Sequence, residues 1–230
     1  MNALNKIKYA WEHRDVLRSI LKSLYFNFHY LPFKQACRLL IMLYKPKFLS
    51  LKGSVKIDAE KIFPGMITLG FRAVNVYPNS GISLDIGGKI TFKGKCSIGN
   101  NSFISISKSG EVIFGHYFMA TTSFKLVCYE VIVFGSNCLL GWECLVSDND
   151  FHQIIYRNSG DALSKTGKIV LGEHCWLANN CTLMKNTTLP SHTIVASHSL
   201  VNKPMVIPEY SLIAGIPAKM KKTEVDWRMK

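Results

Sequence analysis

An aliphatic residue opens every sixth position from Leu171 to Ile213, through Leu177, Leu183, Leu189, Val195, Val201 and Ile207. A small residue often follows, as at Gly172, Ala178, Ala196 and Ala214. Four positions after each opener stands another, usually small, side chain: Cys175, Cys181, Thr187, Thr193, Ser199, then Met205 and Ser211. The same frame runs upstream at Phe134-Gly135, Leu140-Gly141 and Val146-Ser147, with Cys138 and Cys144 in the small slot. A helix needs a period of about 3.6 and a lone strand a period of about 2, so neither fits. A six-residue period predicts a parallel β-solenoid, whose short strands wrap as flat faces around a narrow core. With three faces per turn, residues 18 apart stack: Leu171 over Leu189 over Ile207, and Leu177 over Val195 over Ile213.

Farther upstream the frame reads Ile86-Gly87, Phe92-Lys93 and Ile98-Gly99, with Cys96 and Ser102 in the small slot. After a slip of register it continues at Phe114-Gly115 and Ala120-Thr121. Phe118 and Phe124 replace small residues there, which predicts a wider or distorted middle section. Irregular early coils are expected at Val55-Lys56-Ile57, Ile67-Thr68-Leu69 and Val74-Asn75-Val76. Between Phe151 and Lys168 the hexads stop, which predicts a loop over 152–168; long loops in compact arrays are usually functional.

The first 50 residues have a helical pattern instead. Over 3–30, Leu4, Ile7, Trp11, Leu17, Leu21, Leu24 and Phe28 lie along one side, with Lys6, Lys8, Arg14, Arg18 and Lys22 elsewhere. Pro32 ends or kinks this helix, and a second helical stretch is expected over 33–44. Two roles suit it: a cap that buries its apolar side on the solenoid's open end, or a basic anchor on a membrane surface. Pro217 ends the repeat, and a short helix is expected after it. The expected organisation is an extension over 1–50, a mainly β solenoid over 51–213 and a tail over 214–230.

The net charge of +13 changes the picture only at the ends. Residues 1–56 carry 11 Lys and Arg against 2 acids, and residues 214–230 carry 5 against 2. The solenoid between them is close to neutral, which argues against a nucleic-acid groove. No secretory leader and no apolar run of about 18 residues stands out, so a cytoplasmic protein is expected. Cys96, Cys138, Cys144, Cys175 and Cys181 occupy small slots and read as core residues rather than disulfides or ligands.

Three motifs in order then resemble the hexapeptide-repeat acyltransferases, most of all the sugar O-acetyltransferases, including those of capsule and O-antigen synthesis. They are Asp148-Asn149-Asp150-Phe151-His152, Gly172-Glu173-His174-Cys175-Trp176-Leu177-Ala178 and Ala214-Gly215-Ile216-Pro217-Ala218-Lys219. The resemblance covers residues 86–220 and implies a left-handed parallel β-helix, an exception to the usual right-handed crossover. It also implies a homotrimer with active sites between subunits, and direct transfer of acetyl from acetyl-CoA to a sugar or glycan hydroxyl. Ala178 and Ala196 stand where the family often has Gly.

That chemistry needs a group to take the hydroxyl proton, and histidine suits it because its pKa lies near neutrality. Of seven histidines, only His152 sits where the repeat breaks, and it matches the family's base. Asp150, counted into an inward slot, is expected either to orient His152 or bind acceptor, or to bond backbone amides structurally. The resemblance makes Trp176 and Asp148 acyl or acceptor pocket residues, although Trp176 also suits subunit packing. It places pantetheine along Ala178, Ala196 and Ser197, and nucleotide phosphates near Lys203 and Lys219. No metal is required. His174 and His192, 18 apart, keep open a zinc solenoid resembling the γ-class carbonic anhydrases, although a third ligand is missing at matching spacing. N-acetylation of a nucleotide-linked amino sugar and a non-enzymatic solenoid are the remaining alternatives.

Overall fold

A computed structural model describes residues 14–228. Among them, twenty-two short strands form three sheets of nine, seven and six strands, successive strands of the coils falling to the three sheets in turn. All pairings between coils are parallel. This is the three-sided parallel solenoid that the hexads call for, a left-handed β-helix as the resemblance implies. Alternation does the work within each strand: Ile82–Ile86 and Ser102–Ile106 bury every second residue and turn the others outward.

Coil length varies along the axis, and the core follows it. Leu177 pairs with Val195 and Val195 with Ile213, at 18 positions per coil. Phe92 pairs with Phe114 at 22 positions, and Phe114 with Phe134 at 20. The longer coils enclose a wider core, and rings fill it. Phe92, Phe114 and Phe134 stack at 5.4 Å centroid spacing, with Phe118 tilted against the last two at 4.8 and 4.7 Å. Offset ring pairs of this kind add about 0.5–1.5 kcal/mol each beyond their burial. In the 18-residue coils Cys175, Cys181, Thr187, Thr193 and Ser199 are buried in the small slots, as expected. Burial pushes the Cys96 thiol far up, as it does that of Cys128, so both are inert core groups.

The turn residue of many corners has a left-handed backbone. Tyr117, Asn137, His174, His192 and Tyr210 form one such column, with φ between 55° and 60°. Three of these turn amides are satisfied by the previous coil: Asn137 N donates to His116 O, His174 N to Ser136 O and His192 N to Glu173 O. His174 and His192 therefore occupy corners.

The first coil ends in a free strand edge, and the helix Arg14–Tyr30 covers it in an unexpected orientation. Ser19, Ser23 and Asn27 face the strand Ile41–Leu43 and the residues after it, and they are buried. Asn27 bonds both Ile41 N and Ile41 O, Ser23 Oγ accepts from Leu43 N at 2.9 Å, and Ser19 Oγ accepts from Lys45 N at 2.9 Å. Four helical residues rise about 6 Å and two strand residues about 6.6 Å, so a polar side chain every fourth position tracks alternate strand residues. An open edge needs hydrogen bonds more than apolar cover. Leu17, Leu21, Tyr25 and Phe28 consequently face solvent, contrary to the expectation that the apolar stripe is buried. Leu4, Ile7 and Trp11 lie outside the described residues.

Four other expectations change. Only Phe33–Ala36 of the second helical stretch is helical, because Ile41–Leu43 and Pro46–Leu51 already pair as strands with Ile67–Phe71 and Ile82–Ile86. The second of these strands ends at Leu51. Val74-Asn75-Val76 is an exposed turn, not a coil. Ile207 does not stack on Leu189: Pro204 bridges Thr188 instead, and Ile207 is only half-buried. The segment after Pro217 is a strand, Ala218–Lys222, antiparallel to Leu212–Gly215. Its outward Lys219, Lys221 and Lys222 blunt the last edge of the nine-stranded sheet.

Candidate active site

The repeat breaks at one corner, and the break is held by buried carboxylate chemistry. After the strand Leu145–Ser147, Asp148 is fully buried. Its oxygens accept from Tyr129 N at 2.7 Å and Glu130 N at 2.8 Å, with the Cys128 thiol at 3.5 Å. Burial lifts its carboxyl above the usual range, although the two amides pull the other way. Ser147 Oγ then donates to Asn149 O, and Asn149 Oδ1 accepts from Phe151 N, a turn that sets Phe151 at φ 62°.

From that turn residues 151–165 leave the surface as a hairpin-like arm. Asn149 bridges Thr166, Ile155 bridges Ala162, and Tyr156 N donates to Asp161 O. Lys185 clamps the root from the next coil. Its ammonium pairs with Asp150 at 2.6 Å and donates to Ser164 O, gripping the outgoing and returning limbs together. Asp150 is therefore not an inward residue: the hexad count fails one corner early, and the buried carboxylate is Asp148.

His152 stands at this root, exposed, with its amide bonded to Asp150 O at 2.7 Å. Its imidazole makes no hydrogen bond within the described residues. The Asp150 carboxylate is engaged by Lys185 rather than by His152. The imidazole is thus open to solvent at a root that Lys185 ties together.

Trp176 belongs to a different face. It lies in the nine-stranded sheet between Leu139 and Ile194, whereas the arm leaves the seven-stranded sheet. Its ring sits 6.0 Å from that of Trp227, a residue that no repeat or motif singles out. Trp227 also stacks on His174 and walls a pocket of about 560 Å³ with Lys95, Tyr117 and Asn137. Asp226 beside it reaches His174 and His192, both at 3.5 Å. The third polar partner of that pair thus comes from the tail, outside the repeat spacing.

The residues expected to meet a donor fall mostly on one line. Thr121, Gly141, Ala178 and Ala196 form a ladder at one corner: Thr121 N donates to Leu140 O, Gly141 N to Leu177 O, Ala178 N to Val195 O and Ala196 N to Ile213 O. Ala214 continues the column and pairs with Lys219. The side chains along this column are small, with exposed Ser197 beside it and Lys219 at its end. Lys203 lies off this line, beyond the strand Leu200–Val201 at the following corner.

No protein-family model matches the chain. It is 34% identical over 163 residues to an uncharacterized 24.8 kDa protein in the cps region of Klebsiella pneumoniae, spanning 70% of this chain and 71% of that one. Among solved structures it matches the polySia specific acetyltransferase NeuO with a TM-score of 0.56 and 17% identity, over 81% of this chain and 90% of that one. The chain belongs to one family with that Klebsiella capsule-region protein and shares the fold of the acetyltransferase. The polysialic acid O-acetyltransferase OatWY aligns with a TM-score of 0.44 and 20% identity over 81% of this chain and 89% of that one. Within this hexapeptide-repeat chain, the hairpin-like arm and its root are the main departure from the repeating coil.

Proposed function

We propose that the protein is an O-acetyltransferase that moves acetyl from acetyl-CoA to a hydroxyl of a surface glycan. The observation that carries this reading is the unpartnered His152 imidazole at the clamped root of the arm. His152 takes the proton as the hydroxyl oxygen attacks the thioester carbonyl. The tetrahedral adduct collapses by breaking its carbon–sulfur bond, and the imidazolium returns the proton to the departing thiolate. A base placed in this way is worth about 10²–10⁴ in rate.

Asp150 and Lys185 act as positioning residues that hold the root, and Asp148 anchors the turn before it. The Ala178–Ala196–Ala214 column, with Ser197 and Lys219, suits an extended pantetheine arm ending at phosphates. Lys203 serves from the adjoining corner. His152 and Trp176 leave from different sheets, so a site using both needs a neighbouring copy; this favours a homotrimer with active sites between subunits. The exposed Phe151, Ile154, Ile155 and Tyr156 of the arm suit such packing. A glycan acceptor fits the capsule-region setting of the Klebsiella relative and the polysialic acid specificity in NeuO's name.

No described helix is long and apolar enough to cross a membrane. The helix Arg14–Tyr30 instead offers an outward apolar face beside Arg18 and Lys22, which suits peripheral docking on anionic lipid at the cytoplasmic face. Thiol release from acetyl-CoA, followed with and without capsular oligosaccharides, tests the reading. Release accelerated by a glycan supports it; no CoA binding by calorimetry at millimolar concentration overturns it.

A further inference from the structure

One corner carries a second cluster that acyl transfer does not use. His174 and His192 occupy successive rungs of the left-handed turn column, and their rings stand 4.9 Å apart. Each ring is backed by an aromatic partner: Trp227 lies on His174 at 4.4 Å, and Tyr210 on His192 at 4.2 Å. The tail is tied down as it crosses this corner. Trp227 Nε1 donates to His174 O at 2.8 Å, and Asp226 Oδ1 accepts from Trp227 N at 2.9 Å.

That same Asp226 oxygen stands 3.5 Å from His174 Nε2 and 3.5 Å from His192 Nδ1. All three atoms lie within 4.8 Å of one another. A direct N–H···O bond closes to about 2.7–3.2 Å, so neither separation is that of a good hydrogen bond. Ligands about 2.0–2.2 Å from a tetrahedral zinc stand about 3.3–3.5 Å apart, which is the spacing seen on two edges of the triangle. Two imidazoles and a carboxylate are also the donor set that zinc and its neighbours accept. His174 Nε2 also lies 3.1 Å from the Trp227 carbonyl, a hydrogen bond that a bound ion would replace. The side chains are partly open to solvent, so an ion has a way in.

We propose that His174, His192 and Asp226 bind a divalent transition-metal ion of the zinc class, which clamps the C-terminal tail onto this corner. The clamp fixes Trp227, and with His174 it holds one wall of the 560 Å³ pocket. The carboxylate comes from outside the repeat, so metal binding depends on the tail being docked. The inference is independent of the acyl-transfer reading and stands or falls without an activity assay.

The test uses untagged full-length protein, stripped with chelator and titrated with cobalt(II). The expected result is one equivalent bound with the visible bands of low-coordinate cobalt, displaced by one equivalent of zinc. Asp226→Asn and His192→Ala should lose those bands and bind zinc at least ~10-fold more weakly. His198→Ala, an exposed histidine at another corner, should bind as wild type. Zinc should raise the melting temperature of wild type and of His198→Ala only. Circular dichroism of each variant checks that the solenoid is intact. No stoichiometric cobalt binding in wild type overturns the proposal, and so does equal binding by wild type and Asp226→Asn.

Discussion

Asn27 and Ile41 form a reciprocal pair: the side-chain carbonyl accepts from Ile41 N at 3.1 Å while its amide donates to Ile41 O at 2.7 Å. A helical side chain thereby takes the place of a missing strand. Replacing Asn27 with Leu removes both bonds and leaves two buried backbone groups unpaired, at about 1–3 kcal/mol each. At about 2–4 °C per kcal/mol for a chain of this size, the melting temperature should fall by roughly 4 °C or more. An unchanged melting temperature would show that the helix is not the cap.

The helix's outer face should be separable from its inner one. Leu21→Glu combined with Phe28→Glu changes exposed positions only, so the melting temperature should hold. Co-sedimentation with anionic vesicles should drop sharply, and the wild-type signal should fade with salt. Vesicle binding that survives both substitutions would place the lipid contact elsewhere.

His152→Ala should lower kcat by ~10²-fold or more and leave CoA affinity nearly unchanged, since the imidazole acts in the transition state. Parallel calorimetry and thiol-release kinetics separate the two quantities. Wild-type turnover in the variant would remove His152 from the chemistry.

Phe114 is fully buried between Phe92 and Phe134, in the widest part of the core. Phe114→Ala should cost about 3–5 kcal/mol, because an 18-residue coil cannot replace a 20- or 22-residue one to close the void. Chemical denaturation reads this directly. Phe114→Leu should cost clearly less.

Asp148 has its carboxyl raised by burial, and the sign of its pH effect follows. Its titration favours the fold below the unfolded value of about 3.9, and that advantage is lost as pH rises through the higher folded value. The gap in melting temperature between wild type and Asp148→Asn should therefore be wider at pH 3.5 than at pH 6. A gap that narrows on acidification would mean that the amides of Tyr129 and Glu130 outweigh desolvation.

The solenoid was legible because a core three faces wide admits only certain sizes at fixed intervals, and Leu171 through Val201 obey that rule in the structure. The phenylalanines broke it visibly, and the wider coils are the reason. What misled was physics that the pattern does not carry. An amphipathic stripe on the helix suggested apolar burial, but a strand edge asks for donors and acceptors, and Ser19, Ser23 and Asn27 answered it. Counting by six carried one corner too far at Asp150, since the count has no meaning once the chain leaves the coil. The place of His152 at the root of the arm was readable from the break itself. Asp226 and Trp227 were not, because their partners lie 34 and 53 positions back, in the coils.

The arm leaves no mark on the ladder that carries it. Phe134 pairs with Leu171 across 37 positions in the same frame that pairs Leu171 with Leu189 across 18. Everything extra is looped out between two fixed points and gripped at its base by Lys185. Doubling such a loop adds only about 0.6 kcal/mol of closure entropy. Arms of other lengths and sequences can therefore be exchanged at this joint while the stem keeps its stability, so selection can retune what is gripped there without refolding what does the gripping.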